Sequence, residues 1–333
     1  MGQGDHAAPW VVRTVPNAEV YLPQHRRELP LVLFGTHIDT VSRSTEDRYP
    51  PGTLQGGRLY GRGTLDMHSG LATCLWLLRH GPVPPDFDIG LIVTTDEEGD
   101  SSGAWGLVRE RWFHPDLIIV PEPTWEHVAL SASGRRAWEV SFHSGGGHAE
   151  GDLDRKPNPV EALLTFFSGV PASLSVTELH TTGGGGVSLP TGARARFEQV
   201  FRTRVVQRRG DAWLHRRLRT ARGRFPGVQS SLALVPRSTP WPDPYRANRT
   251  PLVRRWLDAT ARGGVGRTLL MHEHAVGDFN AYARVAPTII YGPGGGGVHG
   301  TDEYVDLRSL EQCFGTYRRF LECPGSKRRT QGH

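Results

Sequence analysis

The sequence contains few cysteines and no long apolar segment. Its cysteines, Cys74, Cys313 and Cys323, are scattered without a CxxC spacing, so we predict neither a disulfide framework nor a thiolate metal site. No run of about 18 apolar residues is present, which argues against a membrane-spanning helix. The first ten residues also lack a basic segment followed by an apolar one. We therefore expect a cytoplasmic protein in a reducing compartment.

Net charge is small, but its distribution is uneven. Lysine and arginine exceed aspartate and glutamate by only 39 to 34, whereas residues 192–224 hold eleven arginines against Glu198 and Asp211 alone. This segment is either an ordinary solvated surface or a docking surface for an acidic partner. Nucleic acid is not predicted as the partner, because no recognised binding module and no interleaved aromatic residues accompany the arginines.

Short apolar runs alternate with one helical pattern in the first third of the chain. Residues 31–34, 88–95 and 117–120 each read as a buried strand that ends in polar residues, and residues 70–81 have apolar residues at helical spacing. The pattern predicts an α/β fold, with a mixed sheet and helices on both faces. In such sheets functional groups gather beyond the carboxyl ends of the strands.

The middle of the chain has a different character. Residues 138–144 and 193–201 alternate like half-buried strands, and residues 159–167 read as a helix. Beyond a proline-rich link, the strand around residues 286–292 and a helix over 307–321 resume the α/β pattern. We therefore predict a catalytic domain formed by residues 1–133 and 246–333, with an inserted α+β domain over 134–245.

Five short clusters carry the candidate chemistry: GTHIDTV, GRGTLDMHSG, TTDEEGD, PEPT and GPGGGGVHGTDEYV. In the first cluster His37 and Asp39 lie on one face of an extended chain, so Asp39 can accept from the ring of a ligating histidine. In the third cluster the adjacent carboxylates of Glu97 and Glu98 repel each other unless cations neutralise them. Each cluster alone is also common in turns, whereas together they indicate a metal site.

In their order along the chain and in their residues, these clusters resemble the motifs of the dinuclear zinc family that includes acetylornithine deacetylase, succinyl-diaminopimelate desuccinylase, aminoacylase and the glutamate carboxypeptidases. The resemblance covers nearly the whole chain and implies two divalent cations, zinc first, with cobalt or manganese as substitutes. The ligands that it implies are His37, Asp66 and Glu122 for one cation, and Asp66, Glu98 and His299 for the other.

The same resemblance implies amide hydrolysis, with Glu97 as the general base and Asp39 as the partner of His37. It also makes the middle unit a lid and dimerisation domain, in which the histidine of a GHA motif reaches the neighbouring subunit's active site. His148 is therefore the implied oxyanion donor, and a homodimer is expected. Arg202 is the implied lid arginine that holds a substrate carboxylate.

The GDFN segment resembles hydrolases that release lysine or ornithine from a small acidic amino-group carrier protein, so Asp278 and Asn280 are candidate substrate contacts. The favoured activity is release of an amino acid from an N-acyl-amino acid or from a carrier-linked precursor. Two alternatives stay open: a dipeptidase or carboxypeptidase on the same metal centre, and a non-catalytic binding protein of this fold. Glu122 favours the deacylase over the carboxypeptidase, and the Glu97 and Glu98 pair disfavours the non-catalytic protein.

Overall fold

The structure is a computed structural model that describes residues 10–23, 29–43, 45–148, 157–262 and 269–322. Contacts within the chain divide it into two compact units. Unit 1 comprises Met1–Ala132, Ser238–Pro240 and Tyr245–His333, and unit 2 comprises Ser133–Arg237 and Trp241–Pro244. The roles predicted for residues 134–245, as lid and dimerisation domain, stay a prediction.

Within the described residues, the first part of unit 1 contains eight strands and two helices. In chain order they are β1 (Val11–Val15), β2 (Ala18–Leu22), β3 (Leu31–His37), β4 (Thr53–Gln55), β5 (Arg58–Tyr60), α1 (Ser69–His80), β6 (Asp88–Thr94), α2 (Ser102–Leu107), β7 (Leu117–Val120) and β8 (Val128–Ala132). An irregular helical turn, Thr64–His68, precedes α1. The predicted strands at residues 31–34, 88–95 and 117–120 and the predicted helix at 70–81 are thus confirmed.

In the described part of unit 2, a sheet is backed by two helices. Its elements are β9 (Gly134–His143), β10 (Gly147–His148), α3 (Pro159–Phe167), β11 (Leu174–Gly185), β12 (Ser188–Phe201), α4 (Arg204–Arg224) and β13 (Gln229–Leu234). The sheet order is β10-β12-β9-β13, and β11 also pairs with β12. Alternate residues of β9 and β12, such as Val140 and Phe197, pack with Phe166 of α3 and Leu214 of α4. The predicted strands at 138–144 and 193–201 and the helix at 159–167 are confirmed.

The chain then returns to unit 1. The remaining elements are β14 (Tyr245–Arg246), α5 (Pro251–Ala261), β15 (Leu270–Glu273), α6 (Asp278–Tyr282), β16 (Thr288–Ile290), β17 (Gly295–Gly296), β18 (Tyr304–Asp306) and α7 (Leu307–Glu322). The predicted strand near 286–292 and the helix over 307–321 are confirmed. None of the helices in the described ranges has the length and apolar character needed to cross a membrane.

The main sheet of unit 1 is mixed. Its order is β1-β2-β6-β3-β7-β16-β8-β14, with β15 beside β8. The central strands β6, β3, β7 and β16 are parallel, whereas β1, β2 and β14 pair antiparallel. Because parallel neighbours end at the same edge, the polar residues that follow β3, β6 and β7 are brought together.

Helices cover both faces of this sheet, as predicted. On one face, Val32 and Phe34 of β3 pack in a cluster with Leu77 of α1, Trp256 of α5 and Tyr317 of α7. On the other face, Leu33 of the same strand packs in a cluster with residues of α2 and α6. Successive strand residues point to opposite faces, so a strand buried on both faces is apolar throughout. The mixed α/β fold class is therefore confirmed.

Candidate metal centre

The candidate ligands lie where three neighbouring parallel strands end. His37 is the last residue of β3, Glu97 and Glu98 follow the end of β6, and Glu122 follows β7. Two further residues come from irregular segments: Asp66 from the turn before α1, and His299 from the loop between β17 and β18, where its φ is 59°. All of these residues belong to unit 1.

A first cluster of three donor side chains surrounds the buried imidazole of His37. Its Nε2 atom lies 3.2 Å from Oδ1 of Asp66 and 3.4 Å from Oε1 of Glu122. The donor atoms of these three residues all lie within 4.8 Å of one another. The cluster thus offers one nitrogen and two carboxylates to a single cation.

A second cluster shares Asp66 with the first. Nε2 of His299 lies 3.2 Å from Oδ2 of Asp66 and 3.1 Å from Oε2 of Glu98. These three donors again lie within 4.8 Å of one another. Because one oxygen of Asp66 faces His37 and the other faces His299, its carboxylate can bridge two adjacent cations.

Asp39 supports both sides of this arrangement. Nδ1 of His37 lies 3.0 Å from the main-chain oxygen of Asp39 and 3.5 Å from its Oδ1. The other carboxylate oxygen, Oδ2, accepts a hydrogen bond of 3.2 Å from the main-chain nitrogen of Glu98. Asp39 therefore fixes two groups by hydrogen bonds: the carbonyl of Asp39 holds the His37 ring, and the carboxylate of Asp39 holds the main chain of Glu98.

Glu97 belongs to neither cluster but lies beside the first. Its Oε2 is 4.0 Å from Nε2 of His37, and its Oε1 accepts from the main-chain nitrogen of Asp278 at 3.4 Å. Gly277 packs directly on this carboxylate, since a Cβ built there would lie 2.2 Å from Oε1. Glu97 is thus fixed next to a candidate metal site without being one of its donors.

The three glutamates of the centre hold protons more tightly than ordinary carboxylates do. Burial, followed by the nearby charge of Asp66, raises the pKa of Glu122 to about 8. Burial, followed by Glu122, holds the pKa of Glu97 well above its ordinary value, and burial with Asp66 raises the pKa of Glu98. Four acids gathered this closely repel one another.

The imidazole of His37 counters that repulsion only in part. Burial disfavours a charged His37, but hydrogen bonding to Asp39, Asp66 and Glu122 raises the pKa of its imidazole. Burial likewise opposes ionisation of Asp66, yet contact with His37 keeps the pKa of Asp66 low. Mixed nitrogen and oxygen donors of this kind suit zinc, cobalt or manganese, and two dications would neutralise the remaining acids. The residues present therefore fit a dinuclear metal site.

Asp278 and Asn280, the candidate substrate contacts, are both buried. Asp278 accepts from the hydroxyl of Thr94 at 2.5 Å, and burial raises the pKa of its carboxyl to about 6. The side chain of Asn280 accepts from the main-chain nitrogen of Gly277 at 3.0 Å. In this geometry the two side chains support the loop behind Glu97, and their contact with substrate stays a prediction.

The sequence analysis missed Gly277 and Glu303. Glu303 is buried and accepts hydrogen bonds from the main chain of Leu65 and Asp66 at 3.1 and 3.2 Å. Its position four residues after His299, within the GPGGGGVHGTDEYV cluster, was a usable signal. Gly277 opens the GDFN segment, but nothing in that segment indicates its contact with Glu97, because the contact depends on how closely two distant segments approach.

His148 and Arg202 belong to unit 2. His148 lies on β10, where it pairs with Ser188 of β12, and is exposed. Arg202 follows β12 and is also exposed. Their predicted roles, as oxyanion donor and as carboxylate ligand, stay predictions.

Comparison with known proteins gives a match to the model described as Peptidase family M20/M25/M40 over residues 33–322. The chain is 27% identical over 328 residues to succinyl-diaminopimelate desuccinylase from Methylorubrum extorquens, covering 88% of this chain and 82% of that protein. It is 31% identical over 155 residues to a protein from Pyrobaculum aerophilum described as "Putative LysW-lysine/LysW-ornithine hydrolase", covering 45% and 42%.

A tripeptidase structure from Staphylococcus aureus aligns with 95% of this chain and 88% of its own, with a TM-score of 0.80. The sequence identity is 15%, so this likeness concerns the fold alone.

Proposed function

Because the chain belongs to peptidase family M20/M25/M40 and is therefore a hydrolase, we propose that it is a metal-dependent deacylase. It would release an amino acid from an N-acyl-amino acid or from a precursor linked to an amino-group carrier. The observation that carries this proposal is the pair of three-donor clusters that share Asp66. The carboxylate of Glu97 lies beside these clusters and belongs to neither of them.

His37, Asp66 and Glu122 would hold one divalent cation, and Asp66, Glu98 and His299 would hold the other, with zinc as the preferred metal and cobalt or manganese as substitutes. When bound, two such cations supply Lewis-acid chemistry, which polarises an amide carbonyl and makes water a stronger acid. Asp39 orients the His37 ring through the 3.0 Å contact of its carbonyl, so it acts as a positioning residue.

Glu97 would be the general base. It would take a proton from the water that attacks the amide carbonyl and pass that proton to the leaving nitrogen, so that the C–N bond breaks and a free amine departs. Burial and the neighbouring carboxylates raise the pKa of Glu97, and a raised pKa makes a carboxylate a stronger base. The hydrogen bond from the Asp278 main chain and the contact with Gly277 would hold the carboxylate in place.

Unit 2 would act as the lid and dimerisation domain, with His148 stabilising the oxyanion across a homodimer and Arg202 binding a substrate carboxylate. Support for the homodimer comes from β11. Within the described residues this strand pairs only with β12, and every one of its residues after Leu174 is exposed. Such an open edge can pair with a strand of a second copy.

The arginine-rich segment would bind an acidic carrier protein. Four arginines of α4, Arg208, Arg209, Arg216 and Arg219, are exposed and fall within an arc of about 100° on the helix. We call them the arginine face. They lie opposite the buried residues of α4, such as Leu214 and Leu218, and they form no ion pair within the described ranges. A face of one charge sign steers an oppositely charged partner to its site.

Metal analysis and one substitution test the proposal. We expect purified protein to hold about two equivalents of zinc per chain, and Glu97→Gln to keep both while losing a factor of about 10² to 10⁴ in kcat. The substrate panel would contain N-acetyl, N-succinyl and γ-glutamyl amino acids together with dipeptides. Preference for dipeptides would favour the peptidase alternative. Hydrolysis that survives Glu97→Gln, or protein without bound metal, would refute the proposed mechanism.

A further inference from the structure

A buried ion pair joins the two irregular segments that carry Asp66 and His299. Nη1 of Arg62 lies 2.9 Å from Oε2 of Glu303, and the two side chains are only 8% and 2% exposed. These residues are 241 positions apart in the chain, and neither is a donor of the two metal clusters. Burying an ion pair is costly unless its remaining hydrogen-bonding groups are satisfied, so it is weak evidence for stability and invites another explanation.

The pair contacts the main chain on both sides. Oε1 of Glu303 accepts from the main-chain nitrogens of Leu65 and Asp66 at 3.1 and 3.2 Å. Nη2 of Arg62 donates to the main-chain oxygen of Gly300, the residue after His299, at 2.7 Å. One charged pair therefore connects the main chain at Asp66 to the main chain beside His299.

Neither segment has regular structure to fix it. Within the turn Thr64–His68, Asp66 has φ −114° and ψ 96°, which is outside the helical region. His299 has a positive φ of 59° and lies two residues after Gly297, whose φ is 67°. A non-glycine residue with a positive φ, such as His299, persists only where its surroundings hold it, and the bond from Arg62 to Gly300 supplies a contact of that kind.

Placement of these segments matters because Asp66 serves both clusters. Its two oxygens each lie 3.2 Å from an imidazole nitrogen, that of His37 and that of His299. A turn of the Asp66 main chain would move both oxygens, and a shift of the Gly300 main chain would move His299. The cluster of Asp66, Glu98 and His299 depends on both segments, whereas the cluster of His37, Asp66 and Glu122 depends on only one.

We propose that Glu303 and Arg62 are positioning residues that set Asp66 and His299 relative to each other, and so determine the affinity of the cation at the Asp66, Glu98 and His299 cluster. This inference rests on the proposed function, because it assumes a dinuclear site. Hydrogen-bonded groups behind metal ligands typically change metal affinity by about 10-fold to 100-fold when they are removed.

Cobalt titration of chelator-stripped protein tests the inference, with visible absorption as the readout. We expect wild-type protein to bind two equivalents. In Glu303→Gln we expect the step that fills the Asp66, Glu98 and His299 cluster to lose affinity by about 10-fold to 100-fold, and the other step to change less. Arg62→Lys keeps the positive charge but cannot span Glu303 and Gly300 in the same fork geometry, so it should weaken the same step.

A control separates this effect from general loss of stability. Arg255 is another buried arginine of unit 1, bonded to Asp86 at 2.7 Å and to the main-chain oxygen of Phe320 at 3.0 Å. Arg255→Met should lower the Tm without weakening one cobalt-binding step more than the other. The inference is overturned if both Glu303→Gln and Arg62→Lys bind two cobalt ions with the affinities of the wild-type protein. It is also overturned if their cobalt affinities fall only in proportion to the loss of Tm, as in the control. If wild-type protein itself binds fewer than two ions, the proposed function fails instead.

Discussion

Replacing Gly277 with alanine tests whether the main chain beside Glu97 fixes the position of that carboxylate. A Cβ at residue 277 would lie 2.2 Å from Oε1 of Glu97 and 2.9 Å from Cε1 of Phe279. The φ of Gly277 is −170°, which alanine adopts without strain. Any effect of the substitution therefore comes from the contact and not from the conformation of the main chain.

The size of the effect follows from the required displacement. Ordinary contact with a Cβ begins near 3.4 Å, so Oε1 must retreat by the difference between 3.4 and 2.2 Å, which is about 1.2 Å. A misplacement of about 1 Å costs on the order of 10² in rate, or about 2.7 kcal/mol of barrier. We expect kcat to fall about a hundredfold, with KM and bound metal little changed, because Glu97 is not a donor in either cluster.

Steady-state kinetics on the best substrate of the panel, together with metal analysis, would measure this. Gly106→Ala in α2 is the matched control, because its Cβ would meet Val15 at 3.5 Å and Pro16 at 3.6 Å, which is ordinary contact. Gly277→Ala with kcat within about threefold of the control would refute the argument that this glycine positions Glu97. Loss of metal would also refute it, since the change would then act on the ligands.

Three further predictions concern pH, the lid and the partner. In chelator-stripped protein the pKa of Glu122 is about 8 in the folded state, above its ordinary value of 4.5. The protonated carboxyl of Glu122 therefore contributes its full stabilisation below about pH 4.5, and this contribution declines as the pH rises towards 8. The Tm should therefore fall as the pH rises across that window, and it should fall less in Glu122→Gln. A Tm that rises with pH in both the wild-type protein and this variant would contradict the expected direction. His148→Ala should lower kcat about a hundredfold or more, and mixing its subunits with Glu97→Gln subunits should restore activity; mixed dimers without activity would exclude action across the interface. Changing Arg208, Arg209, Arg216 and Arg219 to glutamate should raise KM for a carrier-linked substrate but not for a free N-acyl-amino acid, and wild-type binding that is insensitive to salt would contradict electrostatic docking.

Secondary structure near the site was predictable because it depends on local periodicity. The apolar runs that became β3, β6 and β7 lie in the parallel centre of the mixed sheet, where both faces of a strand are buried and the sequence is apolar without interruption. The hairpin of β1 and β2 was not predicted. Its outer strand is largely exposed, so burial leaves little pattern on its sequence.

The residue types of the candidate metal centre were also readable from the sequence. Donors that follow parallel strands must meet at one edge of the sheet, because the strands end there together. Local context pointed to His37 and to the pair of Glu97 and Glu98, whereas the resemblance implied that Glu98 of this pair is a ligand and added Asp66, Glu122 and His299. The structure brings the side chains of the five implied ligands into two clusters, and their roles as ligands are what the metal analysis will test.

The sequence by itself determined the α/β pattern and the set of acids and imidazoles, since both follow from residue type and from the order of elements along the chain. Only the tertiary structure decided that Asp39 contacts His37 through its carbonyl, that Gly277 packs on Glu97, and that Glu303 joins Arg62. Each of these depends on an approach of a few ångströms and on how the packed main chain directs each group. No periodicity in a sequence encodes such a distance, because it results from how the whole core packs.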